Sequence, residues 1–432
     1  MGSTHRTIRA VNDLTARWAA VAPGGTVFSA AGVWPLLGLL ADGAGGAARA
    51  ELVEALGVPD GQAGAAAREL LGAMGAMRGV DRALGLWTRR TLELRESWEA
   101  GLPAGAHGAL TADPVADGAA LDAWAAERTG GLIERMPVTL SEDTDLVLAS
   151  ALALRTRWLR PFTETATEPE AGPWLGRTLL GLRRRTRVLD RIGVADTRWG
   201  HVTELKVLGD NAVDVHLLLG EERMTAGQVL AAGVDVLARR CPVLPGQALP
   251  YGEAGPGLRV VKELSTGPVP PSLDVETVAF GVTAQHDLLE RPEVFGLGTA
   301  MLDDTPGPFP GISADPLCVA SARQSAMARF FARGFEAAAV TAFGMVGAGV
   351  PRLRWATTVV EAVYDRPFGF LALHRHSRLV LAAGWVTDPE PYPDRDPEYA
   401  EEHPWGGARA APAPTAPRTA PTAPPGRLVP RP

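Results

Sequence analysis

Cysteine is nearly absent from this chain: two residues, Cys241 and Cys318, among 432. That number excludes a disulfide framework. Two unpaired thiols are the expected state, with a single bridge as the alternative. No unbroken apolar run reaches the roughly twenty residues that span a bilayer, so no membrane partner is expected. The opening stretch MGSTHRTIRAVNDLTARWAA carries Arg6, Arg9, Asp13 and Arg17 without an apolar core of signal-peptide length, which predicts a cytoplasmic protein. Arg6 also stands where an N-myristoylation signal needs Ser or Thr. The signatures of catalysis are missing as well: there is no G-x-S-x-G elbow, P-loop, H-E-x-x-H or paired-cysteine metal site. His374 and His376 share a strand face but have no third ligand near them in sequence, so neither a metal nor another cofactor is expected. The Gly-rich GAGGAARA around Gly43 lacks the Lys and Ser/Thr of a phosphate loop. A net charge of −7 argues against nucleic acid, whose partners are normally basic. These absences predict a protein that is not an enzyme. A hydrolase with an unrecognised nucleophile is the competing class.

The composition that is present, 46% hydrophobic, is enough for a large core. No Pro/Gly-rich linker interrupts residues 6–389, which predicts one mixed α+β domain behind a short extension, residues 1–5. From about Asp388 the chain turns to Pro, Ala, Thr and Arg, ending APAPTAPRTAPTAPPGRLVPRP. Such a segment, 390–432, cannot bury enough apolar surface to order itself. The basic run Arg183, Arg184, Arg185 and Arg187 reads as a solvated charged face, with a polyanion-binding surface as the alternative.

The most informative stretch is GFEAAAVTAFGMVGAGV, from Gly334 to Val350. Ordinary loops use Pro, Asn and Asp, and this one does not. Written as a strand, it sends Phe335, Ala337, Ala339, Thr341, Phe343 and Met345 to one face, apolar and mostly small. A buried helix is the alternative on this segment alone, because Ala favours helix. The same residues resemble the hinge of the serpins, inhibitors whose loop inserts into their own central sheet after a protease cuts it. Further matches follow in the family's order. TVFSAAGVWPLLGLLADGAGGAARAELVEALG is similar to the first buried strand and the helices after it. AWAAERTGGLIERM resembles the helix in front of the main sheet, with Trp124, Thr129, Gly131 and Ile133 at matching positions. LVLASALALRTRWLRPF resembles the central strand, with Trp158 where the loop first enters. FPGISADPLCVASARQSAMARFFARG runs without a gap into the hinge, and DRPFGFLALHRHSRLVLAAGWVTDP is similar to the closing hairpin.

The resemblance, to a bacterial-type intracellular member of the family, implies a serpin fold with three β-sheets, about nine helices and an exposed reactive-centre loop near 334–356. It implies a serine-type endopeptidase inhibitor acting as a suicide substrate: a serine protease cuts the loop, and the freed limb enters the sheet before the acyl-enzyme is hydrolysed. The implied partner is an elastase-, subtilisin- or trypsin-like protease, met by a monomer. Because many members are secreted, an extracellular location is the alternative to the cytoplasm. The hinge would comprise Gly334, Phe335, Glu336, Ala337, Ala338, Ala339 and Thr341. Counting fourteen residues from Gly334 places the reactive bond at Ala348–Gly349. Counting back from Phe368 lands near Ala356 and leaves Arg352–Leu353 as the alternative bond.

The chain also departs from the family pattern. Phe335 occupies the first inward hinge position, where a small residue is usual, and overpacking there would cost about 1–3 kcal/mol and slow insertion. Ala332 and Arg333 replace an acidic pair. Where the sheet opens, Ser29 matches, but Gly32, Ser150 and Gln324 replace a serine, an asparagine and a histidine. The alternative that these departures favour is a non-inhibitory serpin, one that is merely cleaved or that binds a ligand or client.

Overall fold

Every residue of the strand Leu146–Leu154 is buried, and the alternation of a strand sends its side chains into two different cores. Leu146, Leu148, Leu152 and Leu154 enter the main core, whereas Ala149 and Ala151 enter a smaller one. The computed structural model describes residues 2–303, 307–335 and 355–393. In it this strand lies in a seven-stranded sheet of order His107–Leu110, Val80–Arg89, Leu146–Leu154, Ser321–Phe331, Gly334–Phe335 and Thr156–Arg157. Strand Phe280–Asp287 also pairs with Ser321–Phe331. The two middle strands run parallel, with Ser321 opposite Val147 and Ala326 opposite Leu152.

Two further sheets complete the α+β architecture that the resemblance implies. One, also seven-stranded, contains the closing hairpin Phe368–His374 and Leu379–Val386 between Thr26–Phe28 and Val213–Gly220. The other has six strands and places Trp355–Val363 between Leu258–Ser265 and Ser272–Val278. Eight α-helices stand among the described residues, against about nine expected.

Two of those helices set the environment of the central sheet. Helix Ala30–Gly43 is buried on every side except at Asp42, which is why its sequence shows no polar stripe. Ser29 caps it by accepting the Gly32 N–H. Helix Pro114–Arg128 starts from Asp113, whose side chain accepts the Val115 and Ala116 N–H groups. Its Leu121 and Ala125, with Ile133 and Met136 beyond it, pack on Ala83, Ala149 and Ala151. On the sheet side this contact combines small residues with Trp87, whose ring meets that of Trp124 edge-on at 5.7 Å.

The contacts group Met1–Tyr392 as one compact unit and Pro393–Pro432 as a second, of which only Pro393 is described. Backbone pairing continues past the hairpin: Glu390 N–H donates to Ala279, Tyr392 N–H to Thr178, and the Glu390 carbonyl accepts from Leu180. Cys241 and Cys318 are both free. No helix among the described residues is long and apolar enough to cross a membrane. His374 and His376 lie with ring centroids 5.5 Å apart at the hairpin turn, and no cluster of three or more metal-ligating side chains occurs among the described residues.

The residue between those histidines anchors the hairpin. Arg375 Nη2 and Nε donate to Asp214 at 2.6 and 2.8 Å, and Nη2 also reaches the Gly209 carbonyl at 2.7 Å. Asp214 is 1% exposed. Arg375→Met would leave that carboxylate buried and unpaired, so a loss of about 3 kcal/mol is expected. A thermal unfolding midpoint within a degree of the parent's would show that Asp214 is satisfied without it.

Candidate functional site

The strand Ser321–Phe331 ends in a two-residue turn, Ala332 and Arg333, after which the chain folds back on itself. Gly334 and Phe335 pair antiparallel with Phe331 and Phe330 on one side, and with Arg157 and Thr156 on the other. A two-residue strand is thus wedged into the end of the central sheet, at the place where its parallel middle strands separate. Three donors hold the turn. Trp158 N–H donates to the Arg333 carbonyl at 2.9 Å and Phe162 N–H to the Ala332 carbonyl at 2.7 Å. The Trp158 indole Nε1 donates to the Phe331 carbonyl at 2.8 Å. Trp158 therefore sits beside the two-residue strand Gly334–Phe335 and holds the turn that precedes it.

Gly334 is demanded by close approach. A Cβ there would lie 2.3 Å from the Thr156 carbonyl oxygen, a contact no side chain can make. Phe335 is 1% exposed and already belongs to the main core. Its ring lies 6.3 Å from that of Phe370, which is tilted against Phe280 at 5.2 Å. Phe280 in turn stacks on Phe330, and Phe330 meets Trp158 at 4.9 Å. The overpacking expected of Phe335 is not what the structure shows, because the aromatic cluster already accommodates the ring. Sequence reasoning missed this because Phe280 and Phe370 reach the hinge only through the folded sheets. At the turn, Arg333 faces Glu164: burial raises the carboxyl pKa of Glu164, and Arg333 opposes that rise.

Below the wedge, the four residues expected to gate the sheet are brought together. The Gln324 side chain grips Ser29 at both backbone groups: its Oε1 accepts the Ser29 N–H at 2.7 Å, and its Nε2 donates to the Ser29 carbonyl at 2.9 Å. The same Nε2 lies 3.3 Å from Ser150 Oγ, and Ser150 Oγ donates to the Gly32 carbonyl at 3.0 Å. Ser29 Oγ donates to the Leu381 carbonyl at 2.5 Å while accepting the Gly32 N–H. Gln324, Ser29 and Ser150 are all at most 1% exposed. Ser150 and Gln324 are register partners across the two parallel strands, so the network closes the seam between them. Gly32 belongs to the same arrangement, since a Cβ there would meet Ser150 Oγ at 2.8 Å and Gln324 Nε2 at 3.3 Å. Gly32, Ser150 and Gln324 thus share one closely packed, hydrogen-bonded space.

One residue absent from the sequence reading joins this row. His286 stands opposite Gln324 on the neighbouring strand and is hydrogen-bonded through Nε2 to the Val27 carbonyl at 2.9 Å. A carbonyl only accepts, so Nε2 carries the proton. Burial pushes the His286 pKa below its ordinary value, against the opposing pull of Val27 and Glu290.

The remaining sites read from sequence, Glu336, Ala337, Ala338, Ala339, Thr341, Ala348, Gly349, Arg352 and Leu353, lie outside the described residues. At the far end, Trp355 and Ala356 are already paired with Ser265 and Leu264. A bond near Ala356 would therefore fall within a strand.

Comparison with known proteins agrees with this fold. The family model described as serpin (serine protease inhibitor) matches residues 8–171. A rice protein, serpin-Z6C of Oryza sativa subsp. japonica, is 27% identical over 420 residues, covering 90% of this chain and 97% of its own length. Among solved structures, thyroxine-binding globulin in complex with thyroxine superposes with a TM-score of 0.67 at 17% identity, over 89% of this chain and 99% of its own. A thermophilic serpin, tengpin, in the native state superposes at 0.66 with 13% identity, over 89% and 94%.

Two outcomes follow from the gate. Gly32→Ser should lower stability by about 1–3 kcal/mol through overpacking, and Ser150→Ala in the same chain should return part of the loss by removing the clashing Oγ. Strictly additive losses would mean that the two residues do not share one space. The second outcome concerns acid. His286, His107 and His374 all have pKa values depressed by burial. The unfolded chain therefore binds more protons once pH falls through the ordinary value of about 6.5. Stability should hold above that value and decline below it. In His286→Gln the decline between pH 7.5 and 5.5, followed by thermal unfolding, should be shallower. An unchanged slope would remove His286 from this role.

Proposed function

We propose that this chain, which belongs to the serpin family, inhibits serine endopeptidases as a suicide substrate. The observation that carries the reading is the two-residue strand Gly334–Phe335, hydrogen-bonded on both sides inside the central sheet. The limb that would insert already has its first pair of residues in place, antiparallel to both neighbours. Residues from 336 onward need only continue in the same direction. To do so they would separate Leu146–Leu154 from Ser321–Phe331, exchanging one parallel ladder for two antiparallel ones. Antiparallel pairing is slightly more stable per residue, and the small side chains Ala337 and Ala339 would face inward. The gate of Ser29, Ser150 and Gln324 opposes that separation until the limb is free.

The chemistry belongs to the protease. Its serine hydroxyl attacks the scissile carbonyl, the C–N bond breaks, and the new amine leaves on the C-terminal fragment, with the N-terminal limb held as an acyl ester. Insertion of that limb carries the esterified protease away before water completes hydrolysis. The inhibitor acts as a monomer and is not itself an enzyme. Ala348–Gly349 is the favoured bond because the inserting limb must match the length of the strands beside it. Arg352–Leu353 is the trypsin-type alternative.

Incubation with elastase, subtilisin and trypsin separately should give, for one of them, a complex that survives denaturant. The released C-terminal fragment should begin at Gly349 or Leu353 by mass. The cleaved form should melt well above the intact one. Cleavage without a complex and without a rise in melting temperature would replace this reading with that of a non-inhibitory substrate.

A further inference from the structure

The basic run read as one solvated face is split by the strand that carries it. In Leu179–Thr186, Arg183 pairs with Glu276 and Arg185 with Glu263, each at 2.6 Å, on the exposed side. Arg184, between them, turns the other way and lines a small cavity of about 110 Å³. Arg160, Arg191, Lys206 and the hydroxyl of Thr186 line the same cavity, and no Asp or Glu does.

The partners of the four cations leave the cavity positive. Lys206 Nζ lies 3.4 Å from Glu204, a carboxylate shared with His216 at 2.7 Å. Arg191 reaches Asp190 at 3.0 Å, on a side chain that is 60% exposed. Arg160 Nη1 donates to Thr186 Oγ1 at 2.9 Å, a neutral acceptor. Arg184 Nη1 donates to the Arg160 carbonyl at 2.8 Å, and its guanidinium lies 4.2 Å over the Phe162 ring. Its Nε is buried with no acceptor. Among the described residues, neither Arg160 nor Arg184 has a carboxylate partner. A buried N–H without an acceptor is rare in folded proteins, and its usual explanation is a missing water or ion. Burial, reinforced by Arg160 and Arg191, lowers the Arg184 pKa to about 10. An anion in the cavity would reverse that.

We propose that this cavity binds a small tetrahedral oxyanion, a phosphate or sulfate group, either free or at the end of a larger molecule. A water needs only about 10–15 Å³ of such space, so one five-atom group fits. Planar guanidinium forks are suited to its oxygens. The site does not depend on the inhibitory reading.

Thermal unfolding and calorimetric titration of the full chain with inorganic phosphate, at constant ionic strength set by chloride, test it. Saturable binding with a rising melting temperature is expected. Arg191→Met should weaken it about tenfold, and Arg184→Met, which removes the guanidinium above Phe162, at least as much. Arg6→Met, on the first helix, should leave it unchanged. Tripolyphosphate tested alongside separates the sources: equal affinity points to a free ion, tighter binding to an end group. No saturable binding, or equal affinity in Arg191→Met, overturns the proposal even if Arg184→Met fails to fold.

Discussion

The structure turns on one seam, the parallel contact between Leu146–Leu154 and Ser321–Phe331. Its backbone ladder runs from Val147 and Ser321 to Leu152 and Ala326 and then stops. Past that point the strands diverge, and the hinge enters the gap. Gln324 sits midway along the seam and ties it to the cap of the buried helix Ala30–Gly43 through both backbone groups of Ser29. A single amide side chain thus connects the sheet to the core behind it. Because the network is fully buried, breaking it would strand several polar groups at once.

The end of the seam at Gly334–Phe335 and the sheet face under helix Pro114–Arg128 have different physical characters. At the hinge, contact is aromatic: Trp158, Phe330, Phe280, Phe370 and Phe335 form a chain of ring contacts that fills the gap between diverging strands. Across the sheet, under helix Pro114–Arg128, contact is made by Ala83, Ala149 and Ala151 together with Trp87. A close-packed aromatic cluster fixes geometry, whereas alanine contacts give up little dispersion energy when surfaces slide. The rings pin the sheet where Gly334–Phe335 enters, and the buried hydrogen bonds of Gln324, Ser150 and Ser29 hold the parallel seam itself.

Much of this was legible in the sequence, for identifiable reasons. The alternation in LVLASALAL places Ser150 on the leucine side of the strand, and the spacing from Leu317 to Gly334 locates the hinge without a gap. Motif position singles out Trp158, Ser29, Gly32, Ser150 and Gln324, which the structure brings to this seam. What was misjudged at Phe335 was volume: a strand pattern says which way a ring points, and only the packed sheets say whether a space awaits it. Arg184 shows the same limit. Its neighbours Arg183 and Arg185 are solvated as the charge run suggested, but the opposite face of the strand lines a pocket built from residues as distant as Arg160 and Lys206.

By itself the sequence determined the class of fold, the order of its elements and where Gly32, Ser150, Gln324 and Phe335 fall among them, because periodicity and motif spacing are local properties that survive without contacts. The tertiary structure alone decided how the unusual residues at those places are tolerated. Gly32 makes room for Ser150, Gln324 reaches Ser29 across 295 positions of sequence, and Phe335 finds Phe370 in another sheet. Such compensation depends on volumes and donors brought together from distant segments, and no local pattern encodes their meeting.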